Sequence, residues 1–125
     1  MKNKNSEFEI SFYEGILVHA PNFFEVLVVL GDLYTKNGHY RKGLMVDERL
    51  AALRADDPVV LYNLACSYSL VEQLDLAYRA IKQAVRRGYY DFDFMSQDQD
   101  LENLRRDTRF RRFLQRLAKR VNQTQ

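Results

Sequence analysis

Shifted by 34 residues, the sequence falls on itself. Leu27 meets Leu61, Leu30 meets Leu64, Gly31 meets Ala65 and Tyr34 meets Tyr68. Further on, Tyr40 meets Leu74, Gly43 meets Ala77 and Leu50 meets Ala84. Size and polarity agree at each pair. A period of this length marks a chain made of units that cannot bury their apolar faces alone and must stack on one another.

The spacing inside each unit is helical. Leu27, Leu30, Gly31 and Tyr34 stand at i, i+3, i+4 and i+7, one face of a helix, and Leu61, Leu64, Ala65 and Tyr68 repeat the face. A second stripe follows in each unit: Gly43, Val46, Leu50 and Leu53, then Leu74, Ala77, Ile81, Ala84 and Val85. Lys36-Asn37-Gly38-His39 and Val71-Glu72-Gln73 separate the stripes, and Gly38 suits a left-handed helix stop. Gly31 and Ala65 let a neighbouring backbone come close, with a leucine or tyrosine one turn away filling the space beside it. With only two prolines and five glycines, the composition favours long helices over a many-stranded sandwich.

These residues resemble the tetratricopeptide-repeat (TPR) family. Its unit carries a large residue, then Leu-Gly, then Tyr in its first helix, and small, large and small positions in its second. This chain reads Leu27, Leu30-Gly31, Tyr34, Gly38, Tyr40, Gly43, Leu50, and then Leu61, Leu64-Ala65, Tyr68, Leu74, Ala77, Ile81, Ala84. Asp47 replaces the family's usual large aromatic, and Ala55 its usual proline. Glu9 to Ala20, closed by Pro21, looks like the second helix of an incomplete earlier repeat. Downstream, Asp98-Gln99-Asp100-Leu101 and Asp107-Thr108-Arg109-Phe110 resemble the Asp-Pro-x-Leu and Asp-Pro-Arg-Phe caps of a tail found after some bacterial TPR units.

The resemblance implies an all-α fold: antiparallel helix pairs stacked as a short right-handed superhelix with a helical C-terminal cap. Residues 1–125 then form a single unit with an incomplete first repeat at 6–20, repeats at 23–57 and 58–90, a cap at 91–121 and a tail at 122–125. Helices are expected at about 6–20, 23–36, 40–55, 58–71, 74–87, 100–106 and 108–121. Asp107 is placed to cap the last, whose apolar stripe is Phe110, Phe113, Leu114 and Leu117.

No phosphate loop, dinucleotide fingerprint, zincin or nucleophile-elbow motif occurs, so no enzyme, metal or cofactor is expected. His19 and His39 lie twenty residues apart. Cys66 is the only cysteine, which rules out an internal disulfide and suits a reducing compartment. No apolar stretch follows the N-terminal charges, and the longest strongly apolar run, Val26 to Leu30, is far short of a membrane span. A cytoplasmic protein that enters no membrane is the expectation. The aspartates at 56, 57, 91, 93, 98 and 100 lack the EF-hand order and read as helix caps and turns.

Charge is uneven. Residues 1–64 carry seven basic and nine acidic side chains, whereas 65–125 carry twelve and eight. Most of the excess lies between Arg105 and Arg120, eight cations in sixteen residues. They could meet phosphates, but the interleaved Phe110, Phe113 and Leu117 turn one face inward. A nucleic-acid or anionic-surface binder is therefore the second reading, and a protein scaffold the first.

In TPR arrays the first helix of each pair lines an inner groove. Taking the residues off the packing stripe, that groove comprises Val28, Asp32, Lys36, Tyr62, Asn63, Cys66 and Leu70, with Glu25, Thr35, Val59 and Ser69 beside them. The wall is mixed apolar and polar, suited to a segment of another protein. Some TPR domains grip a C-terminal carboxylate with Lys and Asn in the first repeat. Here those positions read Val28 and Asp32, and Asn63 alone matches. Asp47, a carboxylate in a packing stripe, needs a partner, and Asn63 or Tyr62 is in reach by sequence. A polar site of Asp47, Tyr62, Asn63 and Cys66 is the alternative to a structural bond. Self-association through an exposed end of the stack is a further way to bind.

Overall fold

The computed structural model describes residues 4–124, which are mostly helical and contain no strand. Helix α1 spans Lys4–His19. Two antiparallel pairs follow: α2 (Phe24–Lys36) with α3 (Tyr40–Leu53), and α4 (Pro58–Leu70) with α5 (Leu74–Arg86). The chain then runs through α6 (Phe92–Gln97), one 3-10 turn at Gln99–Leu101, α7 (Glu102–Arg105) and α8 (Thr108–Thr124). Residues 1–3 and 125, which the expected single unit includes, lie outside the described residues.

The small residues hold the pairs together. A Cβ on Gly31 would stand 3.2 Å from Val46 Cγ1 and 3.3 Å from Asp47 Oδ1. One on Gly43 would stand 3.0 Å from Thr35 Oγ1. The α2–α3 crossing is thus as tight as glycine permits. In the second pair, Ala65 and Ala77 take these places and are fully buried. The core falls in two parts, one around Leu27, Leu30, Val46 and Leu50, the other around Ile81, Met95, Leu101 and Phe110.

The repeat also governs how one unit meets the next. The Tyr34 hydroxyl donates to Glu14 on α1, and the Tyr68 hydroxyl donates to Glu48 on α3. Each pair spans 20 residues, so α1 takes toward α2 the place that α3 takes toward α4.

Helix starts and stops follow the residues. Asp57 accepts from the Val59 and Val60 amides ahead of Pro58. Asp91, Asp98 and Asp107 accept from the amides of Phe94, Asp100 and Arg109. The capping role expected of the acidic runs is met at these positions, whereas Asp56 pairs instead with Arg87. Helix α6 was not expected. Six residues with Met95 as the one buried anchor show no helical period. Helix α8 runs past the expected end to Thr124. Its Phe110 and Leu117 are buried as the stripe requires.

Three helix ends close alike. Gly38, Glu72 and Gly88 sit at φ values of +80°, +62° and +111°. The residue after each donates its amide back to a carbonyl in the last helical turn: His39 to Tyr34, Gln73 to Tyr68, Tyr89 to Ala84. Glu72 is the 34-residue counterpart of Gly38, yet it carries a side chain where the left-handed backbone disfavours one. Glu72→Gly should therefore raise unfolding stability by about 1 kcal/mol. Urea denaturation measures this, and a lowered midpoint would mean the strain is absent.

Candidate functional site

The inner faces of α2 and α4 leave an open cavity of about 530 Å³. Phe24, Val28, Val29 and Val59 supply its apolar wall, and Asn63 and Thr35 polar edges. Four carboxylates line it: Asp32 from α2, Asp47 from α3, Asp57 at the start of α4 and Asp100 from the 3-10 turn. Among the described residues, no lysine or arginine does.

Asp47 forms the floor. It is only 7% exposed, and Ser67 on α4 donates its hydroxyl to Oδ2. Neither Asn63 nor Tyr62, the two partners reachable by sequence, makes that bond. The physical reason is the offset between units: Asp47 and Ser67 are 20 residues apart, as are Glu48 and Tyr68. Burial pushes the Asp47 carboxyl up from 3.8 to about 7; the Ser67 bond pulls it down and the Asp32 charge adds to the rise. Asp100 is also raised, by burial first and then by Asp98 and Asp32.

The residues expected to line a groove are distributed over four places. Val28, Asp32, Asn63 and Cys66 line the cavity with Asp47. Lys36 is exposed and pairs with Asp32 at 2.9 Å. Leu70 lies at a separate depression beside Gly38, His39 and Arg41. Tyr62 is 3% exposed. Its ring stacks on Tyr89 at 4.2 Å, its hydroxyl donates to Asp98 at 2.7 Å, and Phe94 lies against it. The C-terminal segment thus covers the part of α4 that faces it. Ser69 is covered too, its Oγ accepting from the Leu104 amide and its carbonyl from Asn103.

Cys66 is buried too, its thiol facing Asp98 at 3.8 Å. Burial, then the charges of Asp98, Asp100 and Asp47, push the Cys66 thiol well above its ordinary range. It stays protonated at neutral pH and is a poor nucleophile. The basic stretch is partly consumed as well. Arg109 binds Asp75 and Asp107, and Arg111 donates to the carbonyls of Arg105 and Arg106. Arg106 lies 3.9 Å from Glu102. Arg112, Arg116 and Lys119 are exposed.

Sequence reasoning missed Ser67, Asp57 and Asp100 as groove residues. The 20-residue offset could have found Ser67. The patterns around Asp57 and Asp100 speak only of caps and turns, because nothing local shows that the tail folds back over α4.

No protein-family model matches the chain. Over 83 residues it is 35% identical to a chloroplastic protein of Arabidopsis thaliana; the stretch is 62% of this chain and 24% of that protein. The chain thus spans about a quarter of that relative's length. Among solved structures, MamA 41-end from Desulfovibrio magneticus RS-1 superposes with a TM-score of 0.69 at 21% identity, covering 92% of this chain and 67% of that one. The MamA RS-1 ArsTM double mutant also gives 0.69, at 18% identity, covering 96% and 70%. The fold is that of a TPR-like helical array. No described helix of this array is long and apolar enough to cross a membrane.

The buried floor of the array makes a pH prediction. An acid whose folded pKa is raised costs nothing below its unfolded value, where both states hold the proton. The cost grows as pH rises from about 4 to about 7, because only the unfolded chain releases its proton there, and it is constant above. For Asp47 the loss is on the order of 4 kcal/mol. Asp47→Asn keeps an acceptor for Ser67 and removes the titration. The variant should match wild type near pH 4 and exceed it above neutrality, read from urea midpoints across that range. Parallel pH profiles would show that Asp47 is not the buried acid described.

Proposed function

We propose that this chain is a protein–protein interaction scaffold that holds a segment of another protein in the groove between α2 and α4. One observation carries the reading: the helix pairs leave an open, mixed apolar and polar cavity on the inner face, while the chain's own tail covers α4 at Tyr62 and Ser69. Segments that dock in such grooves place apolar anchors against their apolar wall. The reading treats residues 1–125 as one unit without enzymatic activity. It keeps the cytoplasm as the place of action on the strength of Cys66 as a buried free thiol; the Arabidopsis relative is itself a chloroplastic protein.

The second reading, nucleic acid or an anionic surface on α8, is favoured by the exposed Arg112, Arg116 and Lys119. It is weakened by the internal bonds of Arg109 and Arg111. Tyr62 is not a clean probe of the groove, since its removal would also loosen the tail. Val28 and Asn63 are exposed on the groove and better suited.

The test is affinity capture from the source cells with wild type, a Val28→Arg/Asn63→Arg variant and an Arg112→Gln/Arg116→Gln variant, followed by titration of the captured partner. The groove variant should lose the partner by more than about tenfold, roughly 1.4 kcal/mol, and the α8 variant should keep it. The reverse pattern, with affinity falling steeply as salt rises, would assign the function to α8.

A further inference from the structure

We propose that the groove takes a lysine or arginine side chain from the partner segment; the inference rests on the groove reading above and names what that groove selects. Among the described residues, the lining holds four carboxylates and no cation. Asp47 is the decisive one. It is nine-tenths buried, opens onto the cavity, and accepts the Ser67 hydroxyl on Oδ2. Held by one neutral donor and by the proton that burial favours, this carboxyl gains a charged partner when a cation arrives and takes the proton's place. Gly31 keeps the approach open, because a Cβ there would lie 3.3 Å from Oδ1.

The other acids can share the charge. Asp32 holds Lys36 in an exposed i,i+4 pair, which exchanges readily for an incoming cation. Asp57 spends Oδ1 on two amides, leaving its second oxygen. The apolar wall of Val28, Val29 and Val59 matches the methylene stem of a long basic side chain, while Phe24 already carries Arg54 over its ring. A metal ion is a poorer match, since no three carboxylates, thiols or imidazoles among the described residues stand close enough to hold one. A side chain brings its charge on a reach of its own. The sign is opposite to a carboxylate clamp, and a C-terminal carboxylate would be repelled here.

The test uses short acetylated and amidated peptides of one valine–serine sequence, differing at a central Lys, Arg, Gln or Glu, with affinity read by fluorescence polarisation. The Lys and Arg peptides should bind about tenfold more tightly than the Gln peptide, with Glu weakest. Asp32→Asn, on the exposed rim, and Asp47→Asn should each erase much of that preference. Val28→Arg should block all four peptides by placing a cation in the groove. Equal binding of the four peptides, blocked by Val28→Arg, overturns the charge assignment and leaves the groove reading intact. Binding untouched by Val28→Arg, or no binding at all, overturns both. Sedimentation equilibrium is the second arm: self-association lost in both Asp32→Asn and Arg112→Gln/Arg116→Gln would make a second copy the occupant and overturn the choice of a foreign partner.

Discussion

The close approach of α2 and α3 at Gly31 and Gly43 sets the geometry on which the rest depends. Neither contact leaves room for a larger side chain without displacement. Because the helices lie so near, Asp47 on α3 reaches through to the inner face beside Gly31 instead of remaining at the back of the stack. In the second pair, alanines at 65 and 77 hold a similar crossing. The inner face is therefore a consequence of where side chains are smallest, and its chemistry comes from what those gaps admit.

The C-terminal segment decides how much of that face stays open. Ser69 is the anchor, its hydroxyl and its carbonyl both accepting bonds from the turn around α7. Met95, Leu101 and Leu104 then fill the space that another helix pair would take in a longer array. Asp98 reaches Tyr62, and Asp100 arrives at the rim of the cavity. The tail thus ends the stack, covers one side of α4, and contributes an acid to the uncovered side.

The helix pairs were legible in the sequence because the 34-residue period and the two apolar stripes report local geometry. Tyr34 and Tyr68 were legible for the same reason. The groove was legible only in part. Val28, Asp32, Asn63 and Cys66 follow from their helix faces, and the structure sets all four on one cavity. Tyr62 lies on a similar face, yet Tyr89 and Phe94 cover it. Their arrival depends on how the chain turns at Gly88 and folds back, which no short-range pattern in the tail encodes. Asp47 stood out as an anomaly, but its partner Ser67 needed the 20-residue offset between units, a tertiary quantity.

The exposure of Asp47 on the cavity and the open approach to it trace to the spacing at Gly31. The most direct measurement of that claim is the urea denaturation midpoint of Gly31→Leu against wild type. A leucine there must push α3 away from α2, so stability should fall by about 1–3 kcal/mol. An unchanged midpoint would show that the helices do not meet at Gly31, and the groove as described could not exist.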